Sequence, residues 1–449
     1  MYSGVYGVYY LISSIHIKGG IGTTALAISF GSSILPPLVL PFFMNKFGIR
    51  SLLITASIAY LLFVIGNAHS SHVTVILAGI FYAVGCNLGW PTTALTNVYF
   101  AKSQQHLNPE RKLSDFSKRY FGMFFAVVSL GNGIGNGVVY FILATDRKMI
   151  LSQNASSLDG SVCGVNDCQD TNTTHLYISQ YTPSSASTQY VVVATCAIFV
   201  SIAAFVFYLI LPQQESVVVG TQQEKDHLYT SDSVITQLSS KTCKMLFSTP
   251  LEVFRFLFSV KQLCVVLLPI YNGMSNAMVA SEISRAFASC ILGLDNVSLC
   301  FVIYATSNLV SSYAFGLLAG KYGRNIPLLV GFLVDQSLYL ICLFLEPTEI
   351  ENWNVYLLFV GFGLTQGIWL PVTAELYTDY FKNKRNIAVT VHNLMMMVGG
   401  LFVVATSTYL CMSTKLYIHI TVLSLAVVLY KIGTIKDDQT LNCEQNICT

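Results

Sequence analysis

Long apolar stretches without a charged residue alternate with short polar segments along almost the whole chain. No Asp, Glu, Lys or Arg occurs between Arg50 and Lys102, or between Arg119 and Asp146. A helix needs roughly 20 such residues to cross the hydrocarbon core, where an unpaired backbone polar group is too costly to leave in lipid. The pattern predicts eleven membrane-spanning helices, at residues 22–44, 51–67, 73–100, 120–145, 190–211, 261–281, 297–319, 326–345, 353–377, 387–409 and 415–431.

Three longer polar segments divide this pattern. Residues 146–189 form a loop, residues 212–260 are rich in Ser, Thr and Gln, and residues 432–449 form a polar tail. The composition of the second segment is typical of a linker, because it cannot bury enough apolar surface to fold alone. We therefore expect an N-terminal transmembrane half at 1–211 that contains the loop, a linker, a C-terminal transmembrane half at 261–431 and the tail.

The basic residues indicate which side of the membrane each segment occupies. Five of the 24 Lys and Arg residues fall in one set of loops and the other 19 fall in the opposite set or in the tail. The five are Lys18, Arg147, Lys148, Arg285 and Lys415. Cytosolic loops carry the excess of Lys and Arg in membrane proteins. The linker and the tail are therefore predicted to be cytosolic, and the loop at 146–189 exoplasmic.

Three sequons for Asn-linked glycosylation agree with this sidedness. They begin at Asn154, Asn172 and Asn296, all on the predicted exoplasmic side. Glycans of this kind are attached at the protein surface. Asn172 lies far from the predicted spans and is the preferred acceptor, whereas Asn296 abuts one. The sequence thus predicts a glycoprotein.

The exoplasmic loop also contains a pair of cysteines. Cys163 and Cys168 have four residues between them, in a compartment that favours disulfides. We expect a local disulfide between these two. Cys290 and Cys300 flank the next exoplasmic loop and are a second candidate pair. Two cysteines alone do not make a metal site, so the sequence predicts no metal and no cofactor.

Composition excludes most other classes of protein. Hydrophobic residues make up 53% of the 449 residues and charged residues only 10%, whereas a soluble domain carries roughly 25% charge. Such a chain cannot cover a water-facing surface, which excludes a soluble enzyme, a nucleic-acid binder and a disordered scaffold. The lipid bilayer is its first predicted partner.

An internal repeat relates the two transmembrane halves. The basic turn at residues 45–50 recurs at 320–325, and the Trp-Pro segment at 89–94 recurs at 368–374. The offsets stay near 280 residues, from 275 for Lys46 and Lys321 to 280 for the two prolines. Two parallel halves of six helices are the arrangement of the major facilitator fold. We therefore predict an all-α membrane protein with this fold.

The repeat also leads us to expect an incomplete first helix. The second half starts near Lys261, 60 residues before Lys321, and the same distance before Lys46 lies ahead of Met1. Two interpretations follow. The chain begins inside its first helix, through an alternative start or a truncated gene model, or residues 1–15 form a re-entrant or interfacial stub. Either way, about eleven full transmembrane helices are expected.

Several segments resemble a known family. Residues 267–273, followed by Ala277, and residues 120–125 are similar to parts of the seventh and fifth helices of the Unc-ninety-three-like family. Trp90 and Trp369 stand where that family keeps Trp in helices four and ten. The members of this family are ion-channel regulatory proteins of the major facilitator superfamily. The resemblance extends over nearly the whole chain. Divergence shows at Gln366, where the family has an acid.

This resemblance implies a role without catalysis. One branch of the family resembles regulatory subunits of two-pore potassium channels, and another resembles a trafficking chaperone for nucleic-acid-sensing receptors in endosomes. The leading hypothesis is therefore a regulator of an ion channel, first of all a potassium channel, in the plasma membrane. The alternatives are a secondary transporter of a small solute and a trafficking chaperone for membrane receptors, the latter in the endosomal membrane.

Polar residues inside predicted spans are the candidates for a central cavity. Asn87 and Trp90 of the first half match Gln366 and Trp369 of the second, next to prolines that interrupt the helices. Asp335 lies at mid-span, where an ionisable group is costly and is a functional candidate by default. The five could line a cavity for a small or lipid-like ligand. The alternative for Asp335 is a hydrogen bond between helices, and for the others helix kinks and packing.

Three further ionisable residues lie in spans, namely Glu375, His392 and His419. Glu375 is close in sequence to Lys382 and Lys384 and is interpreted as a gate residue or as a solvated helix end. No Ser, His and acid share one face of a water-exposed element. The sequence therefore predicts no enzyme.

Overall fold

The computed structural model describes residues 1–12, 21–69, 71–147, 163–168, 186–211, 249–345 and 352–447. These residues form helices and short connections, without a β-strand among them. The helices are α1 (Tyr2–Tyr9), α2 (Ile21–Ser32), α3 (Leu40–Lys46), α4 (Ile49–Gly66), α5 (His72–Leu107), α6 (Leu113–Arg147), α7 (Ala186–Ile210), α8 (Val260–Val265), α9 (Leu267–Ala277), α10 (Leu294–Tyr322), α11 (Asn325–Phe344), α12 (Asn352–Tyr380), α13 (Arg385–Ala405) and α14 (Met412–Ile447).

Ten helices of the described part are long and apolar enough to cross a membrane. They correspond to ten of the eleven predicted spans, which are thereby confirmed as helices. The span predicted at 261–281 is longer than expected, because α8, α9 and a π-helical stretch at Met278–Leu292 form a single apolar run, Val260–Leu292. Helix α14 continues through Ile447, so the described part of the predicted tail is helical. Residues 249–257 of the predicted linker are helical as well.

The predicted span at 22–44 is wrong as a single helix. Helix α2 ends at Ser32, a 3-10 turn follows at Pro36–Leu38, and α3 begins at Leu40. Proline has no N–H to donate, and its ring clashes with the preceding helical turn. Pro36, Pro37 and Pro41 together break a stretch that hydropathy alone presents as continuous.

Helices α6 and α10 come from opposite sides of the predicted linker and pack closely against each other. A Cβ atom on Gly122 would lie 2.7 Å from the Cα of Gly316 and 2.8 Å from the backbone oxygen of Ser312. Farther along α6, a Cβ on Gly133 would meet the Cβ of Ala305 at 3.5 Å, an ordinary contact. Small residues let backbones approach in this way inside membranes. The contact at Gly122 therefore joins the two groups of helices without room for any side chain.

The structure corrects the predicted disulfides. Cys163 is bonded to Cys290 at the end of the π-helical stretch, and Cys168 to Cys411 just before α14. The local pair of Cys163 with Cys168 is therefore wrong. The pair of Cys290 with Cys300 is also wrong, since Cys300 is a buried free thiol. The short chain between Cys163 and Cys168 contains a 3-10 turn, and its two ends meet different helices.

Residues 163–168, which we call the strap, are held on these helices by polar contacts as well. The carboxylate of Asp167 lies 2.6 Å from Nη1 of Arg285, and its backbone oxygen accepts a hydrogen bond from the N–H of Met412 at 2.9 Å. Beside it, Oε2 of Glu282 lies 2.8 Å from Arg285 and 2.7 Å from Nζ of Lys415. Glu282 is fully buried and Lys415 nearly so, whereas the side chain of Arg285 is 34% exposed, so this ion cluster reaches from the interior of the bundle to its surface.

Candidate functional site

Asp335 lies on α11 at the centre of a buried hydrogen-bond cluster. Its Oδ2 accepts hydrogen bonds from the Tyr271 hydroxyl at 2.5 Å and from Nε1–H of Trp369 at 2.7 Å. The Tyr271 proton is used in this bond, so the Tyr339 hydroxyl, 3.0 Å away, donates to the Tyr271 oxygen. All four side chains are essentially without exposed surface. The cluster ties together α9, α11 and α12, as the hydrogen-bond interpretation of Asp335 expected.

A second chain of hydrogen bonds runs beside this cluster. Nε2 of Gln366 donates to Oδ1 of Asn272, and Nδ2 of Asn272 donates to Oγ1 of Thr373, both at 3.2 Å. The Thr373 hydroxyl donates to the backbone oxygen of Trp369 at 2.7 Å. Nε2 of His392 lies 3.1 Å from the same Thr373 oxygen. The chain therefore leads from the interior of α12 to His392 on α13.

His392 faces a cavity that lies between helices from both sides of the predicted linker. The space inside it, the open mouth included, is about 810 Å³. Most of the lining side chains are aromatic or aliphatic, and none of the described ones is Asp, Glu, Lys or Arg. They are Tyr6, Tyr9, Phe30, Tyr82, Cys86, Trp90, Pro91, Ala94, Phe121, Phe124, Phe125, Asn276, Leu370, Ala374, Val389, His392, Asn393, Met396 and Met397.

The structure brings only one of the five predicted cavity residues to this lining. Trp90 lines the cavity, with its ring stacked on Phe125 at 5.8 Å and edge-on to Phe124 at 6.3 Å. Its predicted counterpart Trp369 is fully buried and donates to Asp335. The two tryptophans differ because the second group of helices has an acid within reach of its indole.

The remaining predicted residues stand behind the cavity wall. Asp335 and Gln366 lie in the two hydrogen-bond networks and are buried. Asn87 follows the lining residue Cys86 directly on α5, and its Oδ1 accepts a hydrogen bond from Nδ2 of Asn393 at 3.0 Å. This bond joins α5 to α13 next to the cavity. These residues therefore support the wall rather than form it.

Sequence reasoning missed two of the three Asn and His side chains of the lining. Asn276 and Asn393 were not singled out as candidates, whereas His392 was noted as an ionisable residue inside a span. Asn276 follows Asn272 by four residues, so both lie on one face of their helix. That spacing was a usable signal, because a polar face on a membrane helix avoids lipid.

Glu375 differs from its predicted role as a solvated helix end. Its side chain is almost completely buried, and Oε2 lies 3.8 Å from Nη1 of Arg324. Arg324 also donates a hydrogen bond to Asp379, which lies on α12 together with Glu375. Burial opposes the charge of Arg324, but the two carboxylates outweigh this effect and raise the pKa of its guanidinium. The turn between α10 and α11 is thus fastened to the end of α12.

The glycosylation predictions stay predictions. Asn154 and Asn172 lie outside the described residues. Asn296 is in the first turn of α10, half-buried, and its amide donates to the backbone oxygen of Leu292 at 2.7 Å. His419 is buried against the ring of Tyr339. Within the described ranges, no three His, Cys, Asp or Glu side chains gather as metal ligands would.

Comparison with known proteins shows which sequences this chain is similar to. No family model matches it. Over 94% of its length it is 24% identical to "Protein unc-93 homolog A" of Danio rerio and 25% identical to that of Xenopus laevis, covering 86% and 88% of those proteins. It is 23% identical to the "Putative potassium channel regulatory protein unc-93" of Caenorhabditis elegans, over 79% of this chain and 48% of that one.

Solved structures show the fold. The Escherichia coli xylose transporter XylE, in a partially occluded inward-open conformation, matches with a TM-score of 0.57 at 13% identity. The match covers 95% of this chain and 96% of the transporter. A double-tryptophan variant of XylE matches with a TM-score of 0.56. The predicted all-α major facilitator fold is therefore confirmed.

Proposed function

We propose that this chain, a divergent unc-93-like member of the major facilitator superfamily, is a non-catalytic multi-pass membrane protein that regulates an ion channel. The finer assignment is a potassium channel of the plasma membrane. Likeness to the C. elegans relative, whose name describes a potassium channel regulator, carries this proposal. The regulator binds the channel inside the membrane and shifts the balance between its open and closed states, because it binds one state more tightly.

The position of Asp335 supports a regulator over a proton-coupled transporter. Such a transporter needs an acid that meets the central cavity from alternate sides of the membrane. Asp335 instead accepts two hydrogen bonds behind the cavity wall and has no exposed surface. The described lining has no carboxylate to replace it. A fixed bundle that offers an outer surface to a partner fits these contacts better than a proton-driven cycle.

Co-expression with potassium channels tests the regulator. Current and the number of channels at the cell surface are measured in the same cells, first for two-pore potassium channels. A changed current per surface channel supports regulation. XylE expressed to the same level is the control for crowding of the membrane by an unrelated protein of the same fold. Unchanged current per channel across the panel would refute the proposal for these channels.

Two other functions predict results of their own, the first in the same measurements and the second in an uptake assay. Changed surface abundance with unchanged current per channel would indicate a trafficking chaperone, and an endosomal location would accompany it. The cavity itself favours a secondary transporter of a small solute as the second candidate. For that candidate, uptake must depend on the protein and must fall when Trp90 is replaced by Ala.

We also propose the domain limits that the sequence predicts. These are an N-terminal half at 1–211, a cytosolic linker at 212–260, a C-terminal half at 261–431 and a cytosolic tail at 432–449. A protease site inserted in the linker tests the cytosolic position of that segment. Cleavage only after the cytosolic face is opened supports this position, and cleavage from outside intact cells overturns it.

A further inference from the structure

The orientation of His392 follows from the hydrogen bonds behind it. A threonine hydroxyl has one hydrogen, and Thr373 donates it to the backbone oxygen of Trp369. The Thr373 oxygen can therefore only accept from its other partners. Nε2 of His392, 3.1 Å away, must be the protonated nitrogen of the ring. In the neutral imidazole this leaves Nδ1 as a bare acceptor.

Nδ1 of His392 is presented to the cavity. The ring lines the cavity, and among the described residues its side chain makes a single hydrogen bond, the one through Nε2. Nδ1 is also not among the fully buried unpaired atoms of the described residues. It therefore has accessible surface, and the cavity is the open space that this ring borders.

The side-chain amide of Asn393, the residue next to His392, is also oriented by hydrogen bonds. Nδ2 of Asn87 donates to the backbone oxygen of Ala83 at 2.9 Å, so the other amide atom of Asn87 is its oxygen. That oxygen accepts from Asn393, which must use its own Nδ2 for the bond, at 3.0 Å. Oδ1 of Asn393 then has no hydrogen-bond partner within the part of the chain that the structure describes. Two adjacent residues of α13 thus present acceptors, and each is oriented by a chain that ends on a backbone oxygen.

The rest of the lining is rich in aromatic rings, among them Tyr82, Phe121 and Phe124. Trp90 is held in place within it, stacked on Tyr2 with ring centroids 4.9 Å apart and on Phe125 with centroids 5.8 Å apart. Aromatic surfaces of this kind favour a flat apolar body. A ligand with a full charge would meet no oppositely charged side chain among the described lining residues, and burying an unpaired charge is costly. The lining therefore selects an uncharged ligand.

We propose that this cavity binds an uncharged, flat, mostly apolar molecule that donates hydrogen bonds, through a hydroxyl or an amide N–H group, to Nδ1 of His392 and Oδ1 of Asn393. The ligand class follows from the two fixed acceptors and the aromatic wall. The proposal stands apart from channel regulation, since it concerns what the cavity holds and not what the outer surface meets.

Matched probes test the donor requirement directly. The protein in lipid nanodiscs is dialysed against 4-phenylphenol and against its methyl ether, which has the same rings without the donor, and binding to empty nanodiscs is subtracted. One hydrogen bond is worth about 1 kcal/mol net, so we expect the phenol to bind roughly five- to tenfold more tightly than the ether. This comparison needs no variant and is safe from folding effects.

Variants then assign the discrimination to His392. His392→Phe keeps a ring of similar shape without the acceptor and should bring phenol and ether to equal affinity. Thr373→Val releases the ring to expose either nitrogen and should lower the phenol-to-ether ratio, whereas Thr373→Ser keeps the hydroxyl and should keep the ratio. A merely structural role of Thr373 would weaken both probes alike.

Three results would overturn the proposal. These are equal binding of phenol and ether to the unaltered protein, tighter binding of the cationic 4-(aminomethyl)biphenyl than of the phenol, and no saturable binding of the phenol above empty nanodiscs. Each of these results would leave the channel measurements unaffected. The ligand proposal and the channel proposal can therefore be refuted independently.

Discussion

Replacing Asp335 by Ala should destabilise the bundle far more than replacing it by Asn. Alanine leaves the Tyr271 hydroxyl and the Trp369 indole N–H without their acceptor, in a site with no exposed surface. A buried unpaired donor costs about 1–3 kcal/mol, so the two together cost about 2–6 kcal/mol. Asparagine keeps an oxygen that accepts from both donors. Intact hydrogen bonds between membrane helices are worth only about 0.6 kcal/mol each, so the loss with Asn should stay near 1 kcal/mol.

The measurement is the free energy of unfolding in mixed micelles, followed by tryptophan fluorescence. Trp369 is itself part of the cluster, so its emission reports the local change while circular dichroism reports the helices. Tyr271→Phe is the matched control, because it removes one donor and leaves the acceptor in place. Combined with Asp335→Ala, it should recover part of the loss, since the double variant has one unpaired donor fewer.

Equal losses for the Asn and Ala variants would refute this reasoning. That result would mean that the negative charge of Asp335, and not its role as acceptor, stabilises the bundle. It would also reopen proton-coupled transport, and uptake by the Asp335→Asn variant would then be the measurement to make. A regulator with the described contacts should lose little activity on this substitution.

Three further predictions concern other parts of the bundle. Lys415→Met removes one of the two cations beside Glu282 and should cost about 1.5–3 kcal/mol of unfolding free energy, the value of a hydrogen bond to a charged group. Replacing both Glu282 and Lys415 by Met should cost less than the single change, and a larger loss in the double variant would contradict this. Gly122→Ala should cost about 1–3 kcal/mol because its Cβ meets backbone 2.7 Å away, while Gly133→Ala is the matched control with a 3.5 Å contact, and equal effects would contradict the close packing. Asn172→Gln should abolish a glycosidase-sensitive shift on gels from a glycosylating host, and a parent protein without any shift would count against the predicted sidedness.

Hydropathy predicted the helices well because the cost of unpaired backbone groups in lipid acts on every residue of a span. It failed at residues 22–44, where Pro36 and Pro37 change the backbone without changing the hydropathy. The repeat found Trp90, since aligned halves share helix positions. It could not show that Trp369 turns away from the cavity, because that depends on reaching Asp335 from another helix.

The lining was harder to predict than the fold. Polar residues such as Asn276 and Asn393 are equally consistent with packing between helices and with a cavity wall. Only the three-dimensional arrangement shows which atoms are left over once the internal hydrogen bonds are made. The disulfides failed for a related reason: nearness in sequence suggested a bond between Cys163 and Cys168, but the fold brings each of them to a cysteine far along the chain.

The disulfides of the strap have a consequence for biosynthesis. Cys168 bonds to Cys411, which lies 243 residues later in the chain, so its thiol has to wait until nearly all of the polypeptide has left the ribosome. Until Cys290 is made, 127 residues after Cys163, the nearest cysteine to Cys168 is Cys163, and a bond between the two would occupy both and leave Cys290 and Cys411 unmatched. Maturation of this protein should therefore depend on an isomerase that reopens the early, short-range bond before the last helix is in place.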